Sequence, residues 1–110
     1  MKATIMIPVY NDKRFFQSSL ESALAQTYKG DYEILVVNDG STDKTKEILE
    51  DFEKQFPDQI HGINQIHGGG GTARNRLLEE SRSEVLVGLD SDDLLHEEAL
   101  THIVNIFEED

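Results

Sequence analysis

Four short apolar runs alternate with four segments of helical periodicity, and this alternation constrains the chain more than any other feature. The first run, "ATIMIPV", is rich in β-branched and apolar residues; "EILVV" follows, then a weaker stretch around Ile60 to Ile66, then "EVLVGL". Between and after them, apolar residues recur on one helical face: Phe16, Leu20, Ala23 and Leu24; Ile48, Leu49, Phe52 and Phe56; Ala73, Leu77 and Leu78; Ala99, Leu100, Ile103, Val104 and Phe107. Strand and helix in strict turn predict a parallel sheet. "EILVV" has no polar alternation, as expected of a strand covered on both faces. The fold predicted is α/β: a Rossmann-like parallel sheet of about four strands with helices on both faces, in a single domain over residues 1–110.

Turn chemistry separates the elements. Asn11 or Asp12 is placed to cap the first helix, Ser41 or Thr42 the second, and Asp93 a last helix beginning near Leu95. Right-handed crossovers bring every strand's C-terminal end to one edge of a parallel sheet. Tyr10 and Asn11, Asn38 and Asp39, His67 to Gly71, and Asp90 to Asp93 each follow a strand, so they are expected to form one rim, where open α/β sheets bind ligands.

The last of these groups stands out. "VGLDSDDLL" sets Asp90, Asp92 and Asp93 within four residues. Two unit charges 4 Å apart cost about 4 kcal/mol at an effective dielectric near 20, so a divalent cation, a helix N-terminus or full hydration must offset the repulsion. Asp-x-Asp spacing suits a hard cation such as Mg²⁺ or Mn²⁺ held by carboxylates, with substrate phosphate completing the shell. In "NDGSTD", Asp39 either serves a ligand or simply bonds turn backbone. "HGGGGTARN" reads as a flexible loop or as an anion cradle before a helix, without the Lys of a P-loop. Arg74 and Arg76 are the basic residues nearest the rim. His61, His67, His96 and His102 lack the i, i+4 pairing of a helical metal site and receive no role.

Bulk properties exclude several classes. Asp and Glu number 22 against 10 Lys and Arg, for a net charge of −12, which argues against nucleic acid because phosphate-backbone binding needs clustered positive charge. Residues 79–110 hold 11 of the acids and one basic residue, Arg82. There is no Cys and no apolar run of membrane-span length. These features predict a soluble, cytoplasmic domain whose stability rests on burial.

Taken together, "IMIPVYN", "ALAQTY", "YEILVVNDGSTD", "GGGGTARN" and "VGLDSDDLL" resemble the N-terminal half of family 2 glycosyltransferases of the GT-A fold over essentially the whole chain. The resemblance implies a nucleotide-diphosphate-sugar donor, a UDP-sugar favoured, a Mn²⁺ or Mg²⁺ ion, and inverting transfer to an acceptor hydroxyl. It implies that Pro8, Val9 and Tyr10, with Asn11 beside them, line the nucleobase pocket and that Asp39 bonds the base. Asp90 and Ser91 would lie toward the ribose, Asp90 and Asp92 at the metal, and Arg74 near the donor. Asn38, where many relatives carry an acid, Glu97 in place of a common Pro, and the four glycines depart from the pattern.

Family enzymes continue for at least as long again, and that second half supplies the acceptor site and the general base. The expectation is donor binding with negligible transfer, no catalytic residue within these 110 residues, and an uncovered apolar face and sheet edge that favour self-association. Three other readings stand beside it. A haloacid dehalogenase-type phosphatase would place its Asp-x-Asp after the first strand, not the fourth. A sugar-nucleotide pyrophosphorylase would need Gly and Lys where "PVYNDKR" stands. The third is a folded scaffold or nucleotide-binding module without catalysis.

Overall fold

The apolar runs become strands and the amphipathic segments helices, in the order that the pattern dictates. In a computed structural model, which describes residues 2–69 and 71–109, the elements are β1 (Ala3–Val9), α1 (Phe16–Leu24), β2 (Tyr32–Asp39), α2 (Thr45–Gln55), β3 (Ile60–Gln65), α3 (Thr72–Glu80), β4 (Val85–Gly88) and α4 (Ala99–Glu109). Gly70, part of the glycine run, lies outside the described residues. The four strands form one sheet in the order β3-β2-β1-β4, and all pairs are parallel. Ile5 of β1 sits between Ile34 of β2 and Val87 of β4.

Period-two alternation sorts the sheet's side chains to two faces. On one, Ala3, Ile5, Ile7 and Val9 of β1 join Ile34, Val36, Val85 and Val87 beneath α1, α2 and α4. On the other, Leu35 and Val37 pack with Ala73 and Leu77 of α3. β2 is buried from Ile34 to Asp39, which explains its unbroken apolar run. β4 lies at an edge and pairs only with β1, and its face alternates: Val85 and Val87 are buried while Leu86 is exposed. Among the described residues, no helix is long and apolar enough to cross a membrane.

Several sequence expectations need correction. Leu78 and Phe107 are exposed, so α3 and α4 bury narrower stripes than their periodicity suggests. Neither Asn11 nor Asp12 caps α1, which starts at Phe16 after Phe15 with no side-chain cap. Nor does Ser41 or Thr42 cap α2, because its first turn begins later, at Thr45, whose N–H donates to Asp43 Oδ1 at 2.9 Å. Asp93 caps nothing, since α4 starts six positions later, at Ala99. That helix start is satisfied from a distance instead: Gln26 Oε1 accepts the Leu100 N–H at 3.0 Å, and its Nε2 donates to the His96 carbonyl at 2.8 Å.

The central position of β1 makes its burial the dominant stability term. Ile5 is fully buried, whereas Ile106 on α4 is 63% exposed. Ile5→Ala is expected to cost about 2–5 kcal/mol, and Ile106→Ala within about 0.5 kcal/mol. Urea unfolding of the two variants checks the contrast.

Candidate functional site

The topology fixes where a site can form. β1 leaves through α1 toward β2, whereas the chain returns to β4 through α3 on the opposite face. Adjacent strands whose connections depart in opposite directions open a crevice at their C-terminal ends. Here that crevice lies between the ends of β1 and β4, and it holds a cavity of about 630 Å³ lined by Pro8, Val9, Tyr10, Asp39, Arg74, Asp90, Ser91 and Asp92. Eight residues from four separate stretches of sequence thus share one wall. Asn11 is not part of it. Its backbone is left-handed, at φ 49°, and its side chain ties the β1–α1 loop to the β2–α2 loop, Oδ1 accepting the Thr42 N–H at 2.7 Å.

Those two loops mesh further and stiffen the crevice floor. Thr45, fully buried, accepts the Asp12 N–H through Oγ1 at 3.1 Å, and Asp43 Oδ2 accepts the Lys13 N–H at 3.2 Å. Asn38, buried at the end of β2, donates to Asn64 Oδ1 at 2.9 Å and accepts the Ser41 N–H at 3.2 Å.

Asp39, at the end of β2, is a second hub of hydrogen bonds. Only 5% exposed, its carboxylate accepts from Gln65 Nε2 at 2.7 Å and from the N–H groups of Gly68 at 3.0 Å and Gly69 at 3.2 Å. His67 Nδ1 lies 3.0 Å from Asp39 Oδ2 and 3.1 Å from the Asp39 carbonyl. Both neighbours are acceptors, which assigns the imidazole proton to Nδ1. Burial pushes the Asp39 pKa up, but the bonds from Gln65, Gly68 and Gly69, with His67 beside it, prevail and hold it below the ordinary carboxylate value. Two glycine amides of the "HGGGG" loop are therefore spent on a carboxylate of the chain itself. Gly40 must be glycine here: its φ is 74°, and an added Cβ would stand 2.6 Å from the backbone nitrogen of His67.

His67, given no role by the sequence, enters the site by stacking on Tyr10, with ring centroids 4.1 Å apart. Its position directly after β3 was the available signal. Asp12 was also missed: it lines the cavity and accepts the Ser91 hydroxyl through Oδ2 at 2.7 Å. Arg74 Nη2 stands 3.7 Å from Asp90 Oδ1, both well exposed, a pair of little strength in water. Arg76 turns away to Glu80. Behind Arg74 and Asp90 a second cavity of about 460 Å³ runs toward Met6, Leu77, Leu78 and Leu94.

Asp90, Asp92 and Asp93 are exposed, and each can bring one carboxylate oxygen within 4.8 Å of the others. Three hard oxygen donors gathered in this way could hold a divalent cation, which prefers such ligands. Asp39 and Asp43 cannot join them, being engaged by their own donors.

The model of glycosyl transferase family 2 matches residues 4–110. The chain belongs to glycosyl transferase family 2. An uncharacterized glycosyltransferase of Nostoc sp. is 37% identical over 98% of this chain and 33% of its own length. Among solved structures, S. aureus TarS 1–349 in complex with UDP superposes with a TM-score of 0.88 at 28% identity, over 99% of this chain and 32% of that one. A Pyrobaculum calidifontis mannosyltransferase in complex with GDP-Man and Mn²⁺ gives 0.77 at 27% identity, over 84% of this chain and 28% of that one. This family 2 chain has the GT-A fold of those neighbours and spans about a third of their length.

The depressed pKa of Asp39 makes its contribution to stability acid-sensitive. A carboxylate whose folded pKa lies below its unfolded value stabilises fully above the ordinary value, and loses this as pH falls through the folded value. Stability is therefore expected to drop steeply below about pH 4, with a shallower slope in Asp39→Asn. Urea midpoints measured across pH 2.5 to 6 test this.

Proposed function

We propose that this chain is the donor-binding part of an inverting, metal-dependent glycosyltransferase that takes a nucleotide-diphosphate-sugar, a UDP-sugar in preference. The observation that carries the reading is the gathering of Tyr10, Asp39, Arg74 and the Asp90–Asp92 segment around one cavity at the β1/β4 crevice. It is supported by similarity to a TarS structure holding UDP and to a mannosyltransferase holding GDP-Man and Mn²⁺.

On this reading Pro8, Val9 and Tyr10 form the base pocket. The Tyr10 ring is 46% exposed, which leaves a face for an aromatic base to stack on. Asp39 accepts the base's N–H in exchange for His67, whose half-exposed ring can move aside where the Gly68 and Gly69 amides cannot. Asp90 and Ser91 face the ribose, while Arg74, bound only weakly to Asp90, is free to turn to the diphosphate.

Asp92 and Asp90, with Asp93 in reach, would hold Mn²⁺ or Mg²⁺. Such an ion, when bound, supplies the positive charge that lets an acidic site accept a diphosphate and that stabilises the departing nucleoside diphosphate. The chain's own residues bind and orient the donor. None is assigned as general base: Asp12 is held by Ser91, Asp39 by its four donors, and the exposed aspartates are committed to the cation. Deprotonation of the acceptor hydroxyl, and with it transfer, then depends on sequence outside these 110 residues. The exposed Leu86, Leu78 and Leu94 beside the β4 edge supply the surface for self-association.

Calorimetric titration of UDP with and without Mn²⁺ tests the reading. Binding is expected to be strengthened by Mn²⁺, and Asp92→Ala should abolish that gain. If neither UDP nor GDP shifts the amides around Asp39 and Asp90, the site is misassigned; phosphate release from a simple monoester would instead mark a phosphatase.

A further inference from the structure

The segment from Asp90 to Glu98 has no helix or strand of its own, yet it carries all three clustered carboxylates. Three like charges on an irregular exposed loop repel; within the loop, the Asp93 N–H donates to the Asp90 carbonyl at 3.0 Å and the Glu98 N–H to His96 Nδ1 at 3.1 Å. The restraint comes from outside, chiefly from one polar stripe on α1.

Ser19 and Ser22 fall at i and i+3 on one side of that helix, and Gln26 follows just past its end. Ser19 is fully buried among Phe16, Leu20 and Ala23. A hydroxyl at such a position ordinarily bonds back to its own helix. Ser19 Oγ instead donates to the Asp90 carbonyl at 3.2 Å, 71 residues away. Ser22 Oγ accepts the Leu95 N–H at 3.0 Å, and just past α1 the Thr27 N–H donates to the Glu97 carbonyl at 2.8 Å. From the segment that leads into α1, Asp12 Oδ2 accepts the hydroxyl of Ser91, the residue between the two aspartates of the motif. The loop is thus held at several points, and its carboxylates remain exposed.

We propose that Ser19 and Asp12 are positioning residues for the acidic motif: they fix the backbone at Asp90 and the side chain of Ser91, so that the Asp90 and Asp92 carboxylates converge before a cation arrives. This rests on the donor-site reading above. Neither residue need touch the cation. Pre-organisation of this kind sets affinity because a loop already in the binding geometry loses less freedom when it is occupied. Outer contacts of metal ligands are worth about 10–100-fold in metal affinity.

The test compares UDP affinity in saturating Mn²⁺ with that in chelator for the unaltered chain, Ser19→Ala, Asp12→Ala and Asp12→Asn, each with a thermal melt. Ser19→Ala and Asp12→Ala are expected to lower Mn²⁺-supported UDP affinity about tenfold, with metal-free affinity unchanged in Ser19→Ala. Asp12→Asn removes the same charge as Asp12→Ala but keeps an acceptor for Ser91, so it should retain most of the Mn²⁺ gain. If the gain persists in both alanine variants while melting temperature falls, the contacts are merely structural and the proposal fails. Equal loss in Asp12→Asn and Asp12→Ala also overturns it for Asp12, by making charge the cause. Should Ser19→Ala not fold, the Asp12 pair alone decides. Absence of Mn²⁺-dependent UDP binding in the unaltered chain instead overturns the donor-site reading itself.

Discussion

Parallel pairing is the constraint from which the rest of this molecule follows. Parallel neighbours cannot be joined by a tight turn, so each strand must return across a helix, and every C-terminal strand end then faces the same way. β1 sits between β2 and β4, and the reversal of winding at this strand opens the crevice. Its N-terminal residues build the core, and its last two, Pro8 and Val9, begin the cavity wall. The same hydrogen-bond ladder therefore sets both stability and the place of the site.

Environment divides the aspartates into two chemical kinds. Asp39 and Asp43 are fed by backbone and side-chain donors, and both are held below the ordinary carboxylate range although burial alone would raise them. Their charge is consumed in ordering loops. Asp90, Asp92 and Asp93 stand in water with one exposed guanidinium nearby, so their charge remains available. A count of acids in the sequence does not distinguish these two kinds; the number of donors each one meets does.

Much of this was legible in the sequence because burial imposes periods. All four strands and all four helices occur where their apolar periods place them, and "ATIMIPV" coincides with β1 from end to end. The rim followed from topology in part: Tyr10, Asp39, His67 and Asp90 line one cavity, whereas Asn11 and Asn38 are engaged in loop contacts. The helix starts did not. Asn11, Thr42 and Asp93 have the chemistry of caps, but a cap is a local contact, and these side chains were drawn to partners distant in sequence or left in solvent. Gln26 performs the capping of α4 from the end of α1, a pairing that no window of neighbouring residues could reveal. His67 was overlooked for a similar reason. A search for metal-ligand spacing tests a histidine against other histidines, whereas this one is defined by a ring and a carboxylate from two other strand ends.

The net charge of −12 sharpens what a donor site here must do. An anionic diphosphate approaching this crevice meets Asp12, Asp39, Asp90 and Asp92 against Arg74 on the same wall. One guanidinium, already shared with Asp90, cannot reverse that field. The charge of Asp39 is stabilised by its own donors and that of Asp12 by the Ser91 hydroxyl, which leaves the acidic motif as the densest charge that no donor among the described residues satisfies in this way. On the proposed reading, a divalent cation at that motif would turn its repulsion into attraction. The motif would then have to be exposed to admit the ion, yet held firmly enough that three carboxylates stay together without it. Exposure comes from the open crevice between β1 and β4; firmness comes from the α1 stripe and Asp12. Neither alone would make an acidic surface receptive to phosphate.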